Sequence, residues 1–323
     1  MIRRFFARPP RWAALFIGGA AIVLAGCAAV QTQALREHPP AGLAPRTELV
    51  ATPFFPQTEY QCGPAALATV LQAAGITVDL AELGEQVFLP ARTGTLQIEM
   101  FAGARRQGAV ATRLPTTLEA VLRDVQAGHP VVVLLNLGLK WAPLWHYAVL
   151  VGYDVDAGEV VMRSGTTQRA VMAMRTFEHT WKRAGSWAFT ALPPGQWPAT
   201  AEEHAVVDAS VGFERVAPPL RAVAVYRSAL ARWPGSLSLR MGLGNSLHAA
   251  GDKAAAAQAF ESAAREHRSA PAWINLAETL VELGRPADAE RAAREALATG
   301  DAAWRSQADA ALAHALAARA TVR

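Results

Sequence analysis

Apolar and polar positions follow three successive patterns along the chain. Residues 12–25 form an apolar run without a charge, and residues 31–50 are rich in Pro, Gln, Ala and Arg with no sustained periodicity. The second of these stretches predicts a tether rather than a folded element. From Val50 onward, helical and strand periodicities alternate. Leu67, Val70, Leu71 and Ala74 are spaced i, i+3, i+4, i+7 and closed by Gly75, which predicts a helix with Cys62 at its start. Pro64 is tolerated in the first turn, where its missing N–H would be unpaired anyway. Residues 95–107 and 117–127 predict two further helices, ended by Gly108 and Gly128. Pro130 then opens an apolar strand over 131–137. A β-rich run over 146–154 turns at Asp156-Ala157-Gly158 and returns over 159–163, and a last strand covers 186–192.

After Pro193-Pro194-Gly195-Gln196-Trp197-Pro198 the composition shifts to Ala, Leu, Arg and Glu. Leu243-Gly244, Leu247, Gly251, Ala256, Phe260 and Ala263 follow the tetratricopeptide spacing, and Trp273, Leu276, Ala277, Leu280, Gly284, Ala289, Ala293 and Ala296 follow it again. A weaker copy includes Ala222, Tyr226, Ala229 and Pro234, and residues 304–318 read as a closing helix. Small residues at fixed positions let paired helices approach while larger ones fill between them. Such arrays present a concave face to a protein or peptide partner, or serve packing and self-association.

The chain has 323 residues, 52% hydrophobic and 18% charged, enough apolar area for a packed core in each of two domains. Its net charge of +4 is accounted for by Arg3, Arg4, Arg8 and Arg11, so the rest is neutral and carries no footprint for nucleic acid. The same four arginines precede the apolar run in the layout of a secretory signal. Leu24-Ala25-Gly26-Cys27 resembles the lipobox of bacterial lipoproteins, which implies a signal over 1–26 and a lipid on Cys27. An uncleaved membrane anchor is the alternative, and both place the remainder outside the cytoplasm. By resemblance to sorted lipoproteins, Ala28 after Cys27 implies the outer membrane, facing the periplasm. Two cysteines permit no disulfide framework or CxxC metal site, which leaves Cys62 as the single thiol of the exported chain once Cys27 is lipidated.

A helix start favours a thiolate, so the position of Cys62 suits a nucleophile. A helical half bearing Cys followed by a sheet half bearing His is the papain-like arrangement. Gln57, the box Cys62-Gly63-Pro64-Ala65-Ala66-Leu67 and the run His146-Tyr147-Ala148-Val149-Leu150-Val151-Gly152-Tyr153-Asp154 resemble the double-glycine cysteine peptidases of bacteriocin exporters and their free-standing relatives. The resemblance covers residues 50–192. It implies an α+β papain-like peptidase domain, with Cys62 as nucleophile, His146 as base and then acid, and Gln57 as an oxyanion donor beside the Cys62 N–H. It also implies a peptide or protein substrate and no cofactor.

Two departures stand out. Gln57 lies five residues before Cys62 where the family has six, and the aspartate that orients the family's histidine is missing. A hairpin centred near Asp156-Ala157 returns Ser164-Gly165-Thr166-Thr167-Gln168 opposite the His146 end. Ser164 best aligns with the missing aspartate, with Thr166 the next candidate; a hydroxyl supports an imidazolium less than a carboxylate does. Asp154 is no substitute, because strand rise puts it roughly 26 Å from His146. Trp141 and Trp145 either line a cleft beside His146 or pack their own loop. His129 and His179 show no metal-ligand spacing, and no phosphate-binding GxxxxGK[ST] loop occurs.

The expected organisation is therefore signal 1–26, tether 27–49, peptidase domain 50–192, linker 193–199 and an all-α tetratricopeptide domain 200–323. The expected function is a lipid-anchored cysteine peptidase with a recruiting repeat module. A binding scaffold that has lost turnover, and an acyl transferase using the same Cys/His pair, are the alternatives.

Overall fold

A computed structural model describes residues 29–56, 61–92 and 94–321. Cys27, the signal over 1–26 and Gln57 lie outside the described residues. Two elements precede the helix that Cys62 opens: α1 (Val30–Glu37) and β1 (Arg46–Glu48). Next come α2 (Cys62–Ala73), α3 (Leu80–Val87), α4 (Gln97–Arg106), β2 (Val110–Arg113) and α5 (Leu118–Gln126). The sheet is completed by β3 (Val131–Asn136), β4 (Trp145–Asp154), β5 (Glu159–Ser164), β6 (Thr167–Ala173) and β7 (Ala188–Leu192), with α6 (Met174–Arg183) before β7.

The strands pair antiparallel in the order β2-β7-β3-β4-β5-β6, and β1 adds to the far end of β4. All six residues of β3 are buried, as are residues 147–153 of β4, because helices cover both sheet faces. That is why these strands read as continuous apolar runs rather than alternating ones. One face packs Tyr147, Val149 and Val151 under Leu67, Val70 and Leu71 of α2. The other packs Ala148 and Leu150 under Leu118, Val121, Leu122 and Val125 of α5 and Phe177 and Trp181 of α6. α2 is buried along residues 63–71, so it is a central helix packed on the middle of the sheet.

The tether expected over 27–49 does not hold for its described part. The Glu178 carboxylate, itself buried, accepts from the Gln31 and Thr32 N–H groups and the Thr32 hydroxyl, fixing α1 to α6. β1 pairs Thr47 with Tyr153. Both attachments depend on partners more than 100 positions away, which local periodicity does not reveal. The linker expected over 193–199 is likewise docked. Asp124, fully buried, accepts from Ala199 N at 2.8 Å and Thr200 Oγ1 at 2.5 Å, and Trp197 Nε1 donates to Ser228 Oγ at 3.0 Å.

The C-terminal region is all helical, as the repeat spacing predicts: α7 (Glu203–Glu214), α8 (Pro219–Arg232), α9 (Leu237–Ala249), α10 (Lys253–His267), α11 (Ala270–Glu282), α12 (Pro286–Ala298) and the closing α13 (Arg305–Thr321). A Cβ at Gly242 would come within 2.3 Å of the Tyr226 ring, and one at Gly244 within 2.3 Å of the Phe260 ring. The small residues of the motif are thus the seats of its aromatic ones. Val110 of β2 joins Ala209, Phe213 and Val225 in one apolar cluster, so the helices pack directly on the sheet's edge strand. Among the described residues no helix is long and apolar enough to cross a membrane.

Candidate active site

Cys62 opens α2 as a partly buried free thiol packed against the cluster that contains Tyr147. The next residue explains why the box reads Cys-Gly: a Cβ on Gly63 would lie 2.5 Å from Thr95 Oγ1. Thr95 is held there by the Tyr147 hydroxyl, which donates to its carbonyl at 3.2 Å. Its own Oγ1 is buried without a partner among the described residues. Burial, together with the nearby Cys62, pushes the Tyr147 phenol far above its ordinary value, so it stays protonated as a donor.

His146 lies one residue before Tyr147, at the end of β4 nearest this helix start. Its Nε2 is 2.8 Å from Ser164 Oγ. The expected hairpin register accounts for the contact. β4 and β5 pair Val149 with Arg163 and Asp154 with Glu159, with an irregularity between Leu150 and Gly152. Ser164 then stands diagonally across from His146 on the same sheet face, within reach of a long side chain. Thr166 does not replace it. The chain reverses at Gly165-Thr166, where Gly165 takes φ +58°, and Ser164 pairs with Thr167 as β6 begins. Arg163, buried beside Ser164, donates to the Val50, Thr52 and Gln168 carbonyls and so fixes this corner.

Ser164 engages Nε2 and leaves Nδ1 as the ring nitrogen free for a thiol. Among the described residues no hydrogen bond joins Cys62 Sγ to His146. The two groups stand on neighbouring elements, the start of α2 and the start of β4. Burial holds His146 below the ordinary imidazole range, since desolvation disfavours the charged ring and a hydroxyl partner does little to restore it. The ring is thus neutral at pH 7 and competent as a base.

Trp141, on the β3–β4 loop, is 83% exposed, and Trp145, the first residue of β4 beside His146, is 54% exposed. Trp141 therefore does not serve that loop as packing. Asp154 accepts from Ala157 N at the opposite end of β4, as the strand length requires. His129 meets Asp124 rather than a ligand set, and the described residues contain no cluster suited to a metal.

The family model described as "Peptidase_C39 like family" matches residues 50–189, and a tetratricopeptide-repeat model matches 219–271. No curated protein matches the chain. Among solved structures, a Bacillus anthracis protein described as a C39-like peptidase is 22% identical, covering 46% of this chain and 97% of its own, at a TM-score of 0.39. The peptidase domain of Streptococcus ComA, a bi-functional ABC transporter, is 21% identical, covering 44% of this chain and 98% of its own, at 0.36. The Yersinia enterocolitica type III secretion chaperone SycD, solved with a peptide of the translocator YopD, is 15% identical over 36% of this chain and 92% of its own, at 0.34. On the family-model matches, the chain carries a Peptidase_C39-like domain over residues 50–189, joined to an all-helical tetratricopeptide-repeat region.

Proposed function

We propose that this chain is an extracytoplasmic cysteine peptidase, held to the periplasmic side of the outer membrane by a lipid on Cys27. The observation that carries the catalytic part is the Nε2–Ser164 contact, which orients a neutral imidazole at the end of β4 nearest the thiol-bearing start of α2. In the reaction, Nδ1 of His146 takes the Cys62 proton as sulfur bonds to the scissile carbonyl carbon. The oxyanion is received by the Cys62 N–H and Gln57. Collapse breaks the C–N bond, and the imidazolium gives its proton to the departing amine. Water activated by the same ring then releases the acyl group and restores the thiol. The repeats recruit the protein or peptide to be cut.

The test is incubation of the full chain with a denatured protein mixture and mass spectrometry of new termini. Wild type should generate a defined set of cuts that Cys62→Ala and His146→Ala both lose. An uncut mixture favours the scaffold, a reading that one observation supports: a hydroxyl, not a carboxylate, backs the histidine. Anchoring is tested separately, since Cys27→Ser should leave an unprocessed precursor.

A further inference from the structure

From the end of β3 to the start of β4 the chain exposes Leu137, Leu139, Trp141, Leu144 and Trp145, each at least 41% accessible, within nine consecutive positions. Large apolar side chains exposed singly are ordinary, whereas a contiguous group marks a surface that another body covers. The exposure is not that of a slack loop. Leu137 N donates to the Leu144 carbonyl at 2.9 Å, Leu139 N to the Ala142 carbonyl at 3.0 Å and Ala142 N back to the Leu139 carbonyl at 3.2 Å, so the segment closes on itself as a hairpin. Buried Asn136 pins its base, with Oδ1 accepting from Gly138 N and Leu144 N at 3.0 Å each. Lys140, beside Trp141, is the only charge between Leu137 and Trp145. Leucine, tryptophan, one lysine and no acid suit a membrane interface, where the indole sits at headgroup level and the ammonium meets anionic headgroups.

The route of the N-terminus points to the same partner. Gln31 Oε1, near the start of α1, accepts from Leu118 N at the start of α5 at 2.5 Å. The strand before α5, β2, ends with Arg113 opposite Phe189, and Ala188 of β7 pairs with Val133 of β3, so this is the sheet end from which the hairpin projects. At the other end of α1, Arg36 donates to the Asp156 carbonyl in the β4–β5 turn, the end of β4 away from Trp145. α1 therefore runs away from the hairpin and begins on its side. Arg183, the last residue of α6, donates to the Asn136 carbonyl at 3.0 Å, and Glu178, which holds Gln31 and Thr32, lies roughly 7.5 Å earlier along that helix. Cys27 precedes Ala29, the first described residue, by two positions, so at most about 7 Å of chain separates a lipid there from this end of the fold. A lipid alone fixes one point and leaves the body free to swing, and an apolar hairpin at the same end supplies a second point.

We propose that the hairpin over 137–145 enters the interfacial layer of the bilayer that receives the Cys27 lipid, and so holds the His146 end of the sheet against the membrane. Because Trp145 directly precedes His146, polypeptides lying along the bilayer surface are the substrates brought to the site. The inference rests on the anchored-peptidase reading for the lipid and for the word substrate, but the hairpin's affinity for lipid requires neither.

The test reconstitutes the full chain in vesicles of phosphatidylethanolamine and phosphatidylglycerol whose acyl chains carry bromine, which quenches tryptophan on contact within the apolar layer. Wild-type emission should fall relative to unbrominated vesicles of the same lipids. Trp141→Phe, which keeps an apolar ring and removes one reporter, should lose about half of that quenching, because Trp141 and Trp145 are the two indoles of the hairpin. Leu139→Glu, at an exposed position, should remove most of it, and Trp304→Phe in the repeat region should change nothing. Quenching that Trp141→Phe and Leu139→Glu leave unchanged, or no quenching in chains that float with the vesicles, would overturn the proposal and leave the hairpin to a protein partner. The mass of the N-terminal peptide reports the lipid separately. Quenching that depends on Trp141 in a chain without the lipid would uphold the hairpin and defeat the anchor alone, and loss of flotation and quenching together would overturn both. None of these readings needs turnover, so a chain that cuts nothing leaves the outcome as it stands.

Discussion

Replacing Ser164 by aspartate tests the geometry around His146 in a single step. In the wild type a neutral hydroxyl sits 2.8 Å from Nε2, and burial holds the ring below the ordinary imidazole range. A carboxylate at that place would attract the imidazolium by roughly 4 kcal/mol at about 4 Å and an effective dielectric near 20. That sets a ceiling of about 3 pKa units, at roughly 1.4 kcal/mol each. Desolvation of the new carboxylate consumes part of it, which leaves an upward shift of about 1 to 2 units. The assay is an NMR titration of the imidazole carbons, with the His146 signal assigned by its loss in His146→Gln. Thr166→Asp is the control, because Thr166 lies in the β5–β6 turn and not against the ring. A shift below about 0.3 unit in Ser164→Asp, or an equal shift in Thr166→Asp, would refute the placement of Ser164 as the ring's partner.

Three further outcomes follow from the packing and the charges. Gly63→Ala should lower stability by about 1 to 3 kcal/mol in urea unfolding, because its Cβ meets Thr95 at 2.5 Å; an unchanged midpoint would mean the α2–Thr95 contact is looser than described. Asp124→Ala should cost about 3 kcal/mol or more, leaving the Ala199 and Thr200 donors without their acceptor, and should speed proteolysis at the domain junction; unaltered cleavage there would show that the junction does not depend on this carboxylate. His146 sets a sign for pH. Its folded pKa lies below the unfolded value near 6.5, so its contribution to stability is complete above that pH and is lost as pH falls toward the folded value. Between pH 7.5 and 5, wild type should therefore lose more stability than His146→Gln, and an equal or smaller loss would reverse the assignment.

The parts legible in the sequence are those whose signal is local. The i, i+3, i+4, i+7 stripe of α2, the unbroken apolar runs of β3 and β4, and the turn that sets the β4–β5 register all lie within a few residues of one another. Ser164 is reachable from that register because the diagonal neighbour of a strand residue is fixed once its hairpin is. Thr166 fails because Gly165 reverses the chain one residue earlier than a continued strand would. The edge strand β6 is missed because its alternating residues remain largely exposed. α6 carries a local pattern in Met174, Phe177 and Trp181, spaced i, i+3, i+7, within an otherwise polar segment. α1 and β1 are different in kind. Their Gln-, Arg- and Pro-rich sequence is folded by Glu178 and by β4, partners set by tertiary structure alone.

The central claim is that Cys62 and His146 act as one chemical unit, and alkylation of Cys62 tests it without a known substrate. The chain carrying Cys27→Ser has Cys62 as its remaining thiol, so iodoacetamide incorporation at pH 6 reads that side chain alone. Free cysteine is under about 1% thiolate at that pH and reacts slowly. Folded chain should react at least about tenfold faster than free cysteine, and His146→Ala should remove most of that advantage. A folded chain that reacts no faster than free cysteine, with a rate unchanged by His146→Ala, would contradict the account and leave a peptide-binding scaffold in its place.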